Sequence, residues 1–381
     1  MIGTKKVVGF VAEFNPFHDG HKYFINKIRD AFPDCYIVCA MSTYFVQRGE
    51  PAIFDPYLRG REAINAGVDL ILGLPTCVSL SSAENFARGS VGLLNSLGYV
   101  DYLAFGTFGI TLDELKAYNG KRSDVQTLLK VKEEVKNGKT YGKALEDVIG
   151  MSIKEDNVLA AEYLRALDTL SSTMQPFPIE KDDSKDKATK LREEIYSKCC
   201  DKDLIPIKEY KDFGWPVTAA CFSDYITAAC IDAYFKLKPD EGERDILKDF
   251  DDINPKLLHK IFSVCMFQMS FDEMVAELKT KNWTASYIKR ALFKIALRII
   301  RAIPTTLQFE HYAEYYFLIA YSKEGEALMK YFVGPVSINF VLGNMKEATK
   351  ELFSTIVYSS DCYAHSLYSS IYFSKKHKKD I

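Results

Sequence analysis

No stretch of apolar residues in this 381-residue chain approaches the roughly 20 that a membrane-spanning helix requires. A secretion signal is missing too: the lysines of residues 1–6 precede a short apolar run that soon meets Glu13 and then Asn15-Pro16. A soluble cytoplasmic protein with no membrane partner is expected. Charge of one sign is equally scarce. The net charge is −2, so a nucleic acid would have to meet a local basic patch rather than a generally basic surface. Two patches qualify: Lys279 and Lys281 with Lys289, Arg290 and Lys294, and the tail lysines Lys375, Lys376, Lys378 and Lys379. Solvated surface is the bland reading of both. The nine cysteines include no Cys-x-x-Cys pair, which removes zinc ribbons and thioredoxin-like motifs. Most lie in apolar segments, where a reduced cysteine behaves as a small hydrophobe. Internal repeats and low-complexity segments are absent.

What is present is the balance of an ordinary globular protein, 48% hydrophobic and 26% charged, in a chain long enough for two domains. The first hundred residues alternate in character. Val7–Ala12 is a continuous apolar run, expected for a strand covered on both faces. His21–Arg29 has helical spacing, and Tyr36–Met41, Asp69–Leu72 and Val100–Phe105 read as further strands. Ser81–Leu97 carries the cap residues of a helix. Such alternation predicts an α/β fold with a doubly wound parallel sheet. Leu112–Leu170 reads as mostly helical, and Gln175–Ile179 as a strand confined to an edge by Pro176 and Pro178. Another helix starts near Ala188. Beyond about Pro206 the segments Trp215–Phe235, Pro255–Phe267, Phe271–Leu278, Ser286–Arg301 and Tyr312–Tyr321 all read as helical. The expected division is a nucleotide-binding domain over residues 1–205 and a mainly α-helical domain over 206–381.

The segment with chemical content is Gly9-Phe-Val-Ala-Glu-Phe-Asn-Pro-Phe-His18-Asp-Gly20-His21. It leaves a buried strand, passes a proline turn and opens a helix, the place where a doubly wound sheet binds ligands. Free N–H groups and the positive helix end favour phosphate there. Two imidazoles three residues apart can both address a triphosphate, and Gly20 lets backbone approach it. Fixed donors of this kind stabilise the charge that develops when an α-phosphate is attacked. Taken alone, His-x-Gly-His could also be half of a metal site or two surface histidines. The other histidines are scattered, so no protein-held metal is expected.

This segment resembles the N-terminal signature of the tRNA(Met) cytidine acetate ligases, members of the HxGH nucleotidyltransferase superfamily. The resemblance continues in Phe45-Val-Gln-Arg48-Gly49-Glu50-Pro51-Ala52, in Asp55, Arg59 and Ala63, and in Ser82-Ala-Glu-Asn-Phe-Ala87. It extends through Phe105-Gly106, Asn157-Val-Leu-Ala-Ala-Glu, Ala188-Thr189-Lys-Leu-Arg192 and Lys279-Thr280-Lys281. It implies an enzyme that uses ATP to activate acetate as acetyl-adenylate and passes the acetyl group to N4 of the wobble cytidine of elongator tRNA(Met). It also implies an ATP site lined by Val11, Ala12, Glu13, Phe14, Asn15, Pro16, Phe17, His18, Gly20, His21 and Phe24. Gly106, Asn157 and Arg192 would complete that site. His18 and His21 are then the catalytic donors, and Arg192 a fork donor to the outer phosphates. Magnesium is expected through the phosphates of ATP. Gln47, Arg48 and Glu50, with Lys279, Lys281, Lys289 and Arg290, are the candidates for the acceptor and tRNA.

The chain departs from the family pattern at Thr43, Pro56, Gly73, Phe108 and Lys187, where glycine, lysine, glutamate, glutamate and serine are usual. Those departures keep two alternatives open. One is another nucleotidyltransferase acting on a small phosphate ester, and the other is a relative that binds nucleotide or RNA without chemistry.

Overall fold

The structure is a computed structural model that describes residues 5–139, 141–182, 188–199, 216–236, 250, 252–309, 311–331, 339–342 and 355–377. Its centre is the apolar run read from the sequence, β1 (Val7–Ala12). Successive β1 residues face opposite sides, as the pleat requires. Gly9 faces the helix Ala83–Ser96, where a Cβ would stand 3.2 Å from Leu94 Cδ1. Phe10 packs against Phe24 of helix α1 (Asp19–Ala31), with ring centroids 5.5 Å apart. Both faces of the strand are therefore covered, which is why it can be apolar throughout.

Around β1 run β2 (Tyr36–Ser42), β5 (Leu70–Leu74), β6 (Tyr102–Thr107) and β7 (Gln175–Glu180). A short hairpin, β3 (Phe45–Val46) with β4 (Glu50–Pro51), stands apart from them. The main sheet has the order β7-β6-β1-β2-β5, continued beyond β5 by two strands from later in the chain. The first five of these are mutually parallel. The chain builds outward from β1 to β2 and β5, then returns to add β6 on the other side. The crevice between β1 and β6 is thus the topological switch point, where open α/β sheets bind ligands. β7 is the edge strand, which accommodates its two prolines because one side needs no ladder donors.

The C-terminal third contributes to the sheet, which corrects the helical reading of Tyr312–Tyr321. Tyr315–Tyr321 forms β8, antiparallel to β5, and β9 (Asn339–Leu342) pairs parallel with it. Its sequence Tyr-Tyr-Phe-Leu-Ile-Ala-Tyr is buried along its first five residues. A doubly covered strand has no period of two, so sequence pattern could not separate it from a buried helix. The helices Ser223–Lys236, Pro255–Val264, Phe271–Leu278 and Ala285–Ala296 follow expectation, although residues 206–215 of that region lie outside the described residues.

The terminal helix Ile356–His377 ties the two parts together. Asp361 accepts a hydrogen bond from Thr76 N at 2.6 Å and another from the Tyr315 hydroxyl. Tyr368 donates to Ala52 O at 2.7 Å, and His365 stacks on Tyr44 at 4.7 Å. Among the described residues no helix is long and apolar enough to cross a membrane.

Candidate active site

The site begins where β1 ends. Glu13 to Phe17 form a tight loop with Phe14 at φ 47° and a cis Asn15-Pro16 bond. A phenylalanine in left-handed backbone costs about 1–2 kcal/mol. Its buried ring offsets that cost against Phe10, Phe17 and His21, with centroids 6.1, 5.1 and 4.9 Å away.

Arg59 organises the loop. It lies on helix α2 (Pro56–Asn65) and is 0% exposed. It donates to the carbonyl oxygens of Phe54 at 2.9 Å and Ser42 at 3.0 Å, and to those of Glu13 and Thr43. One planar fork thus joins the ends of β1 and β2 to the segment after the hairpin. Asn15 Oδ1 accepts from Ile53 N at 2.8 Å, securing the loop from the same side.

His18 and His21 follow at the start of α1. His18 is the N-cap, its Nδ1 accepting from Gly20 N at 3.1 Å, while His21 Nδ1 accepts from His18 N at 3.2 Å. Each neutral ring therefore carries its proton on Nε2. The ring centroids are 3.9 Å apart. Burial pushes the His21 pKa well below its ordinary value, and Lys181, together with any proton taken up by His18, pushes it the same way. His21 is held as a neutral N–H donor at a positive helix end.

Across the switch point, Gly106 at the end of β6 gives passage to Lys181. A Cβ on Gly106 would stand 2.5 Å from Lys181 Cε. Lys181 is a cation of this site that sequence reading missed, because it falls in a polar stretch resembling a linker. The available signal was its place one residue beyond a strand paired with Gly106. Asn157 is 2% exposed and does not cap its helix. Its amide is taken up instead by the Phe108 backbone, accepting from N at 2.8 Å and donating to O at 2.9 Å. Asn157 thereby fixes the loop after β6. Glu180 supports the same loop, accepting from Gly109 N at 2.7 Å and Thr107 Oγ1 at 3.3 Å.

Arg192 reaches the site from the helix Ala188–Cys199, donating to Asn15 O at 3.1 Å and Thr189 Oγ1 at 3.2 Å. Burial and the nearby Arg48 cation both lower its pKa. Glu13 accepts from Gln47 N at 2.6 Å. Burial raises its pKa, opposed by that hydrogen bond and by Arg48, Arg59 and Arg192. Val11, Ala12 and Phe24 are half-buried, with Phe24 occupied in packing on Phe10.

The acceptor candidates separate into two groups. Arg48 is exposed beside Glu13 and Arg192, and Lys279 and Lys281 are exposed on the Thr280–Trp283 turn. Lys289 is instead ion-paired with Glu50, and Arg290 donates to Gln47 O at 3.2 Å. Lys378 and Lys379 of the tail lie outside the described residues, as does Lys187.

Of the departures from the family pattern, two answer one another. A Cβ at Gly73 would stand 2.7 Å from Thr43 Cγ2 and 2.7 Å from Phe317 Cδ1. The larger residue at 43 fills space that the smaller one at 73 leaves. Pro56 opens α2 behind its Asp55 cap, and Phe108 lies under Lys154 Nζ at 4.3 Å.

Comparison with known proteins gives a consistent answer. The family model described as HIGH Nucleotidyl Transferase matches residues 5–380. The tRNA(Met) cytidine acetate ligase of Clostridium novyi (strain NT) is 31% identical over 75% of this chain and 77% of its own length. That of Thermoanaerobacter sp. (strain X514) is 28% identical over 96% of this chain and 95% of its own. The apo crystal structure of Thermotoga maritima TmcAL (form I) superposes with a TM-score of 0.80 at 21% identity, covering 96% of this chain and 95% of that one. Its form II, bound with alpha-thio ATP, gives 0.79 at 22% identity over the same shares. This chain belongs to the HIGH nucleotidyl transferase family and, within it, to the tRNA(Met) cytidine acetate ligases.

Proposed function

We propose that the chain binds ATP in the crevice between β1 and β6, activates acetate as acetyl-adenylate, and transfers the acetyl group to N4 of the wobble cytidine of elongator tRNA(Met). The observation that carries this reading is the pair His18 and His21, whose Nδ1 atoms are both occupied by backbone N–H groups at the start of α1. In the first step an acetate oxygen bonds to the α-phosphorus while the bridging P–O bond to the β-phosphate breaks. Pyrophosphate leaves with that electron pair. Negative charge grows on the α-phosphate oxygens, and the neutral Nε2–H groups, Lys181 and the helix end stabilise it as it grows. Arg192, already beside the Asn15 carbonyl, holds the outer phosphates. In the second step the cytidine amine attacks the acetyl carbonyl and AMP departs.

Magnesium would be carried by the phosphates and water. Among the described residues no group of three or more His, Cys, Asp or Glu could hold it. The exposed Arg48, Lys279 and Lys281 are the cations proposed to meet the RNA backbone. Residues 1–205 form the nucleotide-binding unit in this reading and the helices beyond them the RNA-binding one, with β8 and β9 returned to the first.

The test is to incubate the protein with ATP and acetate, with and without bulk tRNA, and follow pyrophosphate and N4-acetylcytidine. Acetate-dependent pyrophosphate with acetylated tRNA is expected. Replacing His21 by alanine should lower pyrophosphate release about 100-fold with the fold intact, the size seen when one fixed oxyanion donor is removed. Normal turnover by His21→Ala would remove the histidine from the mechanism. Pyrophosphate without acetylated tRNA would assign another acceptor.

A further inference from the structure

The hairpin β3–β4 touches three separate parts of the molecule, and each contact leads to the ATP site. Its Gln47 N–H is the hydrogen-bond donor that holds the Glu13 carboxylate, at 2.6 Å. Glu50 Oε2 accepts from the hydroxyl of Tyr196 at 3.5 Å, on the helix that carries Arg192. Just beyond the hairpin, Ile53 and Phe54 form a buried cluster with Ile195, flanked by Leu191 and Tyr196. The third contact is with the helix Ala285–Ala296. Glu50 Oε1 pairs with Lys289, and Gln47 O accepts from Arg290 Nη1 at 3.2 Å.

The fit against that helix is close. Gly49 sits at φ +79°, and a Cβ there would stand 2.5 Å from Arg290 N and 2.8 Å from Lys289 Cβ. The hairpin tip therefore lies directly against helix backbone, and only glycine serves both the turn and the contact. The Lys289–Glu50 pair is largely withdrawn from solvent, with side chains 23% and 16% exposed. Such a pair fixes geometry more than an exposed one does.

We propose that Lys289 and Arg290 are positioning residues of the ATP site. They seat the 47–50 turn, and the turn in turn sets Glu13 and the Arg192 helix. The C-terminal helical region then governs nucleotide binding before any RNA is present. This rests on the reading of the β1–β6 crevice as an ATP site, and it takes Lys289 and Arg290 out of the RNA contacts expected from sequence.

The experiment measures ATP affinity by calorimetry on the full chain, without acetate or RNA. Arg290→Met, Lys289→Glu and Gly49→Ala should each weaken ATP binding about tenfold, since small misplacements of a positioned group have effects of that order or larger. The exchanged pair Glu50→Lys with Lys289→Glu should recover most of the loss. Unfolding midpoints recorded alongside separate a loss of stability from a loss of positioning: the inference requires weaker ATP binding at temperatures where each variant is fully folded. Wild-type affinity in all three variants would overturn the inference, and so would failure of the exchanged pair to recover binding. If the wild type binds no ATP, the crevice reading fails and the inference fails with it. The acetate and tRNA parts of that reading can fail alone, because this assay uses neither.

Discussion

The two ends of the sheet each hold an arginine, half-buried at one end and fully buried at the other, and the pair is instructive. At the amino end, Arg29 in the last turn of α1 donates to Asp69 Oδ2 at 2.7 Å, to Gly67 O at 2.8 Å and to Cys35 O. Asp69 in turn accepts from Ile37 N at 2.8 Å and from Ser322 Oγ at 3.2 Å. Arg29 and Asp69 satisfy one another there, and the cluster clasps α1, β2, β5 and the end of β8. A cleft of about 310 Å³ opens beside it, lined by Lys5, Arg29, Asp34 and Glu324 among others, but its central charges are already paired. At the carboxyl end the hydrogen bonds of Arg59 all go to carbonyl oxygens. Around it a carboxyl is pushed up in pKa and an imidazole is pushed down. Titratable groups shifted in this way are the signature expected of a functional site. The paired end serves stability, and the other is the end proposed to meet a substrate. α1, about 20 Å long at 1.5 Å per residue, has its histidines at one end and its clasp at the other.

The contrast can be broken most severely at Arg59. Arg59→Met strands four buried carbonyl oxygens and should cost about 3–5 kcal/mol in urea unfolding, with ATP binding lost as well. Asp69→Ala should cost about 2–3 kcal/mol, because Arg29 is left half-buried without its partner, yet ATP affinity should stay at the wild-type value. Weakened ATP binding in that variant would end the division between the two ends. Asn157→Leu leaves the Phe108 N–H and C=O unpaired, costing about 2 kcal/mol, and should weaken ATP binding by releasing the loop that follows Gly106 and β6. The smallest effect is in pH dependence. The folded-state pKa of His21 lies below its ordinary value of 6.5, so the unfolded chain binds more protons just under that pH. Stability should fall as pH drops below about 6.5, and His21→Phe should flatten that slope. Glu13, whose pKa is raised, acts with the opposite sign, its contribution falling as pH climbs above its ordinary 4.5.

Legibility in the sequence followed the range of the interactions. β1, β2, β5 and β6 were readable because each is a short apolar run closed by glycine, proline or a cap. The β1–His21 segment was readable because strand, turn and helix start are contiguous. Arg59 resembles any helical surface arginine until the fold brings four carbonyls around it from residues 13, 42, 43 and 54. Asn157 enters the sequence reading through the family resemblance alone, and only the loop after β6 shows where its amide goes. Lys289 and Arg290 were legible as cations but not as ties, since Glu50 is more than 230 positions away along the chain. β8 escaped because burial on both faces erases periodicity.

That strand has a consequence for the newly made chain. On a ribosome that has released only the first two hundred residues, β5 would be the sheet's outer strand, with all five of its residues, Leu70–Leu74, meant for burial. An apolar open edge invites pairing with other chains. The protection comes from Tyr315–Tyr321, more than a hundred residues later. At roughly 5–20 residues per second, the wait is several seconds or more, during which the nearly finished nucleotide fold depends on chaperones or on its own solubility. The part of the protein most easily recognised from its sequence is also the part that cannot close its own sheet.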